Sequence, residues 1–389
     1  MSLILTRSPF LIDRGLFDIG AILTLEIGSF DNANGGFLIE KTYTINFRNS
    51  KYVDIAQFIR DYLGYDKGNL NVVRYVRTTL SGFQSGQEVQ NIINEYYASD
   101  GYLYSTDDYN TDSAEELKKN AWYAGCSDVV YKLDDADLQL PFFQPMPNMI
   151  SGELTYESID LTFYNKGKLV KNVDLLSEFT QGDSNVANTK YSTSDTGAKS
   201  YKDRAEKGGY VLEETPCLKS YFDSAKIEEF DKIVITSGSG YSKVLKVETV
   251  SECKYSPYKV TFLNKYGVFE DLWFFKRSKK SMNVDKEEFR LNSLDRYQYG
   301  DAIKTISNFN VNGKEKIALN SGFVDERMNE CFKQLLLSEY ITLYDFKENK
   351  EYNVNLGTSE MSFKDHLADK LINYEVEFEF AHEIINNIG

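Results

Sequence analysis

One stretch, Tyr258–Arg277, constrains what this chain can fold into more than any other. It begins with an alternating apolar run, Tyr258-Lys259-Val260-Thr261-Phe262-Leu263, continues through Asn264-Lys265-Tyr266-Gly267, and ends in Val268-Phe269-Glu270-Asp271-Leu272-Trp273-Phe274-Phe275. The pattern predicts a β-hairpin whose turn closes on Gly267, since a short loop needs a residue at positive φ and glycine takes that conformation without steric cost. The second run departs from a half-buried strand. Side chains alternate across a strand, so Trp273 and Phe275 point to one face while Leu272 and Phe274 point to the other. A strand apolar on both faces needs cover on both, a core behind and another layer or chain in front. Leu272, Trp273, Phe274 and Phe275 are therefore the candidate subunit interface.

The rest of the chain reads in the same idiom. Leu23, Leu25 and Ile27 alternate with polar or small neighbours, and Phe37, Ile39, Tyr43, Ile45 and Phe47 do so beyond a turn-rich Asp31–Gly36, which predicts an antiparallel pair. Asp54 and Gln57 form a capping-box pattern and Val53 with Phe58 a hydrophobic staple, ahead of a helix expected to run to Gly64. Strands are expected at Leu70–Leu80 and at Tyr96–Tyr104 around an Asp100-Gly101 turn, and a polar helix near Ser113–Trp122. Pro141, Pro145 and Pro147 mark a domain boundary. Beyond it Ile159, Leu161 and Phe163 alternate, Asn165-Lys166-Gly167 turns, and Val173-Asp174-Leu175 echoes Val53-Asp54-Ile55 ahead of a short helix, suggesting a related second module. Residues 180–209 lack the large apolar side chains needed for a core and read as a projecting polar loop.

The last third is the most regular. Strands are expected at Ile303–Phe309, Lys316–Leu319, Tyr340–Tyr344 and Tyr352–Leu356. A helix capped by Asp325 carries Met328, Cys331, Phe332, Leu335 and Leu336 on one face. In the final strand Tyr374, Val376, Phe378 and Phe380 face inward and Glu375, Glu377 and Glu379 face out. The fold class is thus mainly β with α+β: two β-sandwich-like modules, 1–147 and 148–254, followed by a C-terminal α+β module, 255–389.

Composition narrows the function. A net charge of −15 opposes a phosphate backbone, so specific nucleic-acid binding is not expected. The short basic run Lys276-Arg277-Ser278-Lys279-Lys280, followed by Asp285, Glu287 and Glu288, reads as a solvated turn. Aromatics at 14% favour sheets and leave side chains for interfaces. Cys126, Cys217, Cys253 and Cys331 show no CxxC spacing and fit small buried hydrophobes in a reducing compartment. With only His366 and His382 beside them, spacing assembles no metal site, and no cofactor is expected. No apolar run approaches membrane-spanning length, so manufacture in the cytosol is expected.

Asp134-Asp135-Ala136-Asp137 lacks the glycine and downstream glutamate of a calcium loop and reads as an acidic turn. Gly238-Ser239-Gly240-Tyr241-Ser242-Lys243 superficially resembles a phosphate loop but lacks its Lys-Ser/Thr ending, and reads as a hairpin turn. No nucleophile motif surrounds a serine or cysteine, so the chain is not expected to be an enzyme.

Three segments in this order, Phe262-Leu263-Asn264-Lys265-Tyr266-Gly267, Leu319-Asn320-Ser321-Gly322-Phe323 and Asp369-Lys370-Leu371-Ile372-Asn373-Tyr374-Glu375-Val376-Glu377-Phe378, resemble virion structural proteins of tailed phages infecting Bacteroidetes, the crAss-like podoviruses above all. Thr6-Arg7-Ser8-Pro9-Phe10-Leu11-Ile12 and Phe58-Ile59-Arg60-Asp61-Tyr62-Leu63 are similar to the N-terminal sandwich modules of the same family. The family often carries Trp where Phe323 stands and a Gly-Ala-Trp-Asp-Tyr type sequence where Gly267–Asp271 stands; a bulky aromatic, and hence a packing role, is kept at both. The resemblance implies a ring or barrel subunit of the short tail, located in the virion, with copies of itself and other tail proteins as partners and DNA only in transit. On that reading Glu375, Glu377 and Glu379 line the channel, where like charge keeps the duplex from sticking; the competing reading is the solvated face of a one-sided strand. The alternative function is a carbohydrate-binding adhesin with tyrosine and tryptophan stacked on host glycans, and a weaker one a glycan hydrolase.

Overall fold

The computed structural model describes residues 2–31, 36–47, 50–63, 73–107, 113–133, 138–143, 158–174, 217–222, 229–251, 254–290, 306–364 and 371–385. The polar loop 180–209, the acidic turn at Asp134, the helix expected after Asp174, Cys253 and His366 lie outside them. Strands dominate and the helices are few and short, so the chain is mainly β. It divides into two compact units. The first holds Met1–Ser251, Phe262–Asp271 and Glu330–Ser338; the second holds Glu252–Thr261, Leu272–Asn329 and Glu339–Gly389.

The first unit begins with β1 (Ser2–Leu5), β2 (Leu11–Asp13), β3 (Ile22–Asp31), β4 (Gly36–Asn46), β5 (Tyr52–Asp54), α1 (Ala56–Arg60), β6 (Val73–Gln84) and β7 (Gln87–Ser99). These make a five-stranded sheet in the order β1-β7-β6-β3-β4, antiparallel except for the β1–β7 pair, while β2 pairs with β5. Leu23, Leu25 and Ile27 are fully buried on one face of β3, as their alternation predicts, and pack with Ile4, Val76 and Ala98. The capping box is only half kept. Asp54 accepts the Ala56 N–H at 3.0 Å, but it lies in β5 and also accepts the Phe10 N–H at 3.0 Å. The helix has five residues. A reversal expected at Asp100-Gly101 occurs instead at Ser85-Gly86, both at positive φ, between β6 and β7.

Next come α2 (Ser113–Lys119), β8 (Val129–Leu133), β9 (Leu138–Phe143), β10 (Ile159–Asn165), β11 (Lys168–Asp174), β12 (Cys217–Phe222), β13 (Lys232–Ser237) and β14 (Ser242–Val250). A second five-stranded sheet runs β11-β10-β13-β14-β8, and β12 pairs with β9. The expected boundary at 147/148 does not separate the sheets. β8 adds in parallel to β14, and Leu138, Leu140 and Phe142 of β9 share a core with Leu161, Phe163, Ile233, Ile235 and Leu245. Prolines misled here because Pro141 sits within β9, which belongs to a two-stranded ribbon where a missing N–H is tolerated. The hairpin turns read at Lys166-Gly167 and at Ser237–Tyr241 are present.

The remaining elements are β15 (Tyr258–Leu263), β16 (Phe269–Phe274), β17 (Lys279–Arg290), β18 (Ile306–Asn320), β19 (Val324–Asp325), a 3-10 turn at Glu326–Met328, α3 (Asn329–Leu336), β20 (Ile341–Asp345), β21 (Lys350–Leu356), β22 (Leu371–Ile372) and β23 (Glu375–Glu383). A seven-stranded sheet runs β16-β15-β20-β21-β23-β18-β17, and β19 pairs with β22. Val376, Phe378 and Phe380 of β23 point into the core as predicted, and Asp325 caps the 3-10 turn through the Arg327 N–H. The two strands expected between Ile303 and Leu319 are one continuous strand, β18.

Candidate functional site

The hairpin that organises the sequence is anchored at its turn within the first unit. Asn264 is buried, and its side chain is fully used. Its carbonyl oxygen accepts the Tyr266 and Val268 N–H groups at 3.0 and 3.3 Å, and its amide donates to the Ala124 carbonyl at 2.7 Å and to Glu270 Oε2 at 2.9 Å. Gly267 holds φ +72°, and a Cβ there would lie 2.7 Å from the backbone nitrogens of Asp100 and Gly101. The Ser99 hydroxyl donates to the Tyr266 carbonyl at 2.6 Å. From the helix side, Ser338 Oγ accepts the Leu263 N–H and Gln334 Oε1 the Lys265 N–H. Every turn position therefore meets a specific partner.

A disulfide joins Cys126 to Cys331 beside this turn. That corrects the expectation of unpaired cysteines: the sequence spacing of 205 residues hides a juxtaposition made by the fold. The buried Glu270 carboxylate accepts the Cys126 N–H at 3.0 and 3.1 Å, so Glu270 and the two sulfurs form a cluster with all three ligating atoms within 4.8 Å. With the sulfurs bonded to each other, neither is a thiolate that could ligate a metal. A second polar group surrounds Tyr104. Its hydroxyl donates to Glu330 at 2.6 Å, Lys333 lies 3.6 Å from its ring centroid, and Lys265 pairs with Asp107 at 3.0 Å. Burial raises the Tyr104 and Tyr266 phenols above their ordinary range and Tyr102 to about 12. Burial also pulls the Asp107 carboxyl upward, but the Tyr104 N–H and Lys265 outweigh it and hold the group low.

The proposed subunit interface is corrected by burial. Leu272, Trp273, Phe274 and Phe275 are 4%, 6%, 0% and 3% exposed within the single chain. Trp273 stacks on Phe275 and Phe346, and Phe274 meets Phe378 edge to face at 6.1 Å. Both faces of the strand are covered by the chain itself. No apolar face remains there for a second copy.

Glu375 is exposed, whereas Glu377 and Glu379 are half-buried and share Lys316 at 3.2 and 2.5 Å. These two glutamates raise the Lys316 pKa through hydrogen bonds and charge. One lysine thus offsets one of the stripe's three negative charges. Phe323, assigned a packing role by resemblance, is 72% exposed.

The surface that sequence reading missed is the ribbon of β17 and β18. Among the described residues β17 is the last strand of its sheet, and all twelve of its residues are exposed. β18 pairs with β23, among the described residues, only from Lys314 onward, and Asn312 bonds Glu383 and Ile385 through its side chain, so Ile306–Val311 pair with β17 alone. This free end carries Phe289, Ile306, Phe309 and Val311, each more than two-fifths exposed, with the two phenylalanines in edge-to-face contact at 5.5 Å. Strands were expected within β18, but β17 was not: Met282 and Val284 alternate at period two, yet the basic run Lys276–Lys280 and the acidic residues behind it gave that stretch the look of a solvated turn.

No known protein family matches the chain, and no curated protein does. Among the described residues no helix is long and apolar enough to cross a membrane.

Proposed function

We propose that this chain is a virion structural protein, a subunit of a tail ring or barrel assembled around the genome-conducting channel of a crAss-like or related podovirus. The observation that carries the self-associating part is the free end of the β17–β18 ribbon. A two-stranded ribbon is marginal alone in water, and one that also exposes Phe289, Ile306, Phe309 and Val311 gains from burial against a neighbour. The tail assignment rests on the sequence segments Phe262–Gly267, Leu319–Phe323 and Asp369–Phe378, taken in that order. The contact surface moves from the buried Trp273 strand to the ribbon, and a closed ring follows where head-to-tail contacts rotate to closure.

Electron microscopy of the purified chain and of virions carrying it tests this. Rings are expected, and Phe289→Ser with Phe309→Ser should abolish them while leaving the body folded. A monomer that binds capsular polysaccharide would instead establish the adhesin reading.

A further inference from the structure

We propose that β17 is a self-complementary sheet edge at which two copies of this chain pair antiparallel about a two-fold axis through Val284. Natural sheets keep their edges short or blocked, because an open row of backbone groups recruits another strand. This edge is twelve residues long, exposed throughout, and contains neither proline nor glycine. It is also regular. The register shift against β18 falls where Asp285 faces Asn312 and Glu287 faces Phe309, so the extra residue lies on β18 and β17 runs unbroken.

The charge order selects the occupant and the register. β17 is basic at its start, Lys279-Lys280, and acidic towards its end, Glu287-Glu288. Turned antiparallel on itself, each basic end meets an acidic one. A two-fold axis normal to the sheet keeps every side chain on its own face, so facing positions are both odd or both even. With Val284 on the axis, Lys280 faces Glu288, Lys279 lies diagonal to Glu287, and Val284 faces its own copy. Met282 faces Lys286, whose methylene stem covers it. Moving the axis to Asn283 sets Lys280 against Lys286, and moving it to Asp285 sets Lys280 against Arg290. Both neighbouring registers place like charges directly opposite, which is unfavourable. In the single chain Lys280 reaches the exposed Glu348 at 3.4 Å and the buried Asp345 at 3.9 Å, and Lys286 reaches the exposed Glu288 at 2.9 Å. The two exposed pairs are of small worth and are exchanged at little cost, while Lys280 can keep Asp345.

This pairing goes beyond the ring reading, because a two-fold contact closes on itself whereas a ring needs a head-to-tail one. The test is the oligomeric state of the full chain by sedimentation over a range of concentrations. The wild type should form dimers. Lys279→Glu/Lys280→Glu should weaken dimerisation roughly tenfold or more, as should Glu287→Lys/Glu288→Lys, and an equimolar mixture of the two should pair, since each supplies what the other lacks. Val284→Lys, which sets two ammonium groups on the axis of an otherwise unaltered exposed strand, should also lose the two-fold dimer. A wild type that stays monomeric at every concentration overturns the proposal. So do folded charge variants that dimerise as well as wild type, or a mixture that fails to pair. Rings that persist in Val284→Lys leave the ring reading intact while removing this contact, and dimers that never form rings do the opposite.

Discussion

Cys126 and Cys331, 205 positions apart in sequence, are joined by a disulfide beside the buried Glu270 carboxylate, which accepts the Cys126 N–H. The bond ties the chain ahead of β8 to helix α3 within one compact unit, next to the turn of the β15–β16 hairpin. Closing so long a loop removes freedom from the unfolded chain, at most about 5 kcal/mol in the chain-entropy account. Reduction, or Cys126→Ser with Cys331→Ser, should therefore lower the denaturation midpoint of this unit by a large fraction of its stability. Urea unfolding with and without a dithiol measures it; equal midpoints would show that the bond contributes nothing.

Gly267→Ala should be costly for two separate reasons. The position holds φ +72°, which costs an L residue about 1 kcal/mol, and the new methyl would lie 2.7 Å from backbone nitrogens that have no flexible end to give way. Thermal unfolding should show a loss larger than the conformational figure alone. Gly240→Ala, at φ +85° but with open space around it, supplies the comparison and should lose only that figure.

Trp273→Ala should damage the fold and not the assembly alone. The side chain is 6% exposed and stacked between Phe275 and Phe346, so truncation leaves a cavity worth about 3–5 kcal/mol. The readout is denaturant stability of the chain at low concentration, where self-association is absent. An unchanged midpoint with lost oligomers would restore the strand as an interface.

Alkali should unfold the first unit by a definite route. Burial raises the phenols of Tyr102 to about 12 and of Tyr75, Tyr123 and Tyr266 further, against an ordinary value of 10.0. A folded pKa above the unfolded one means that the stability these groups contribute is complete below pH 10 and is lost as pH rises through the folded values. Phenolate absorbance should rise late and together with loss of secondary structure. Early ionisation of all tyrosines in a still-folded chain would contradict the burial.

The local pattern of this protein was legible wherever one face of a strand is core and the other solvent. Leu23, Leu25 and Ile27, or Val376, Phe378 and Phe380, declare their strands because burial repeats with the pleat. The hairpin turns at Lys166-Gly167 and Gly267 were legible because positive φ restricts the residue type. The Trp273 strand was misread as an outward surface for the same reason that made it conspicuous. Apolar side chains on both faces announce that cover is needed, not whose.

Sequence by itself determined the mainly β class and the turns at Lys166-Gly167, Ser237–Tyr241 and Gly267, since pleat periodicity and backbone sterics act between near neighbours. It set the β6–β7 reversal at Asp100-Gly101, however, when it lies at Ser85-Gly86. Tertiary structure alone decided that β8 joins β14 across a proline-marked gap, that Cys126 meets Cys331, and that Phe346 and Phe378 close over the Trp273 strand. It also decided that the ribbon of β17 and β18 stays open, leaving apolar side chains in water. Such contacts are settled by which distant surfaces bury the most apolar area with their hydrogen bonds met, and no local window of residues contains that comparison.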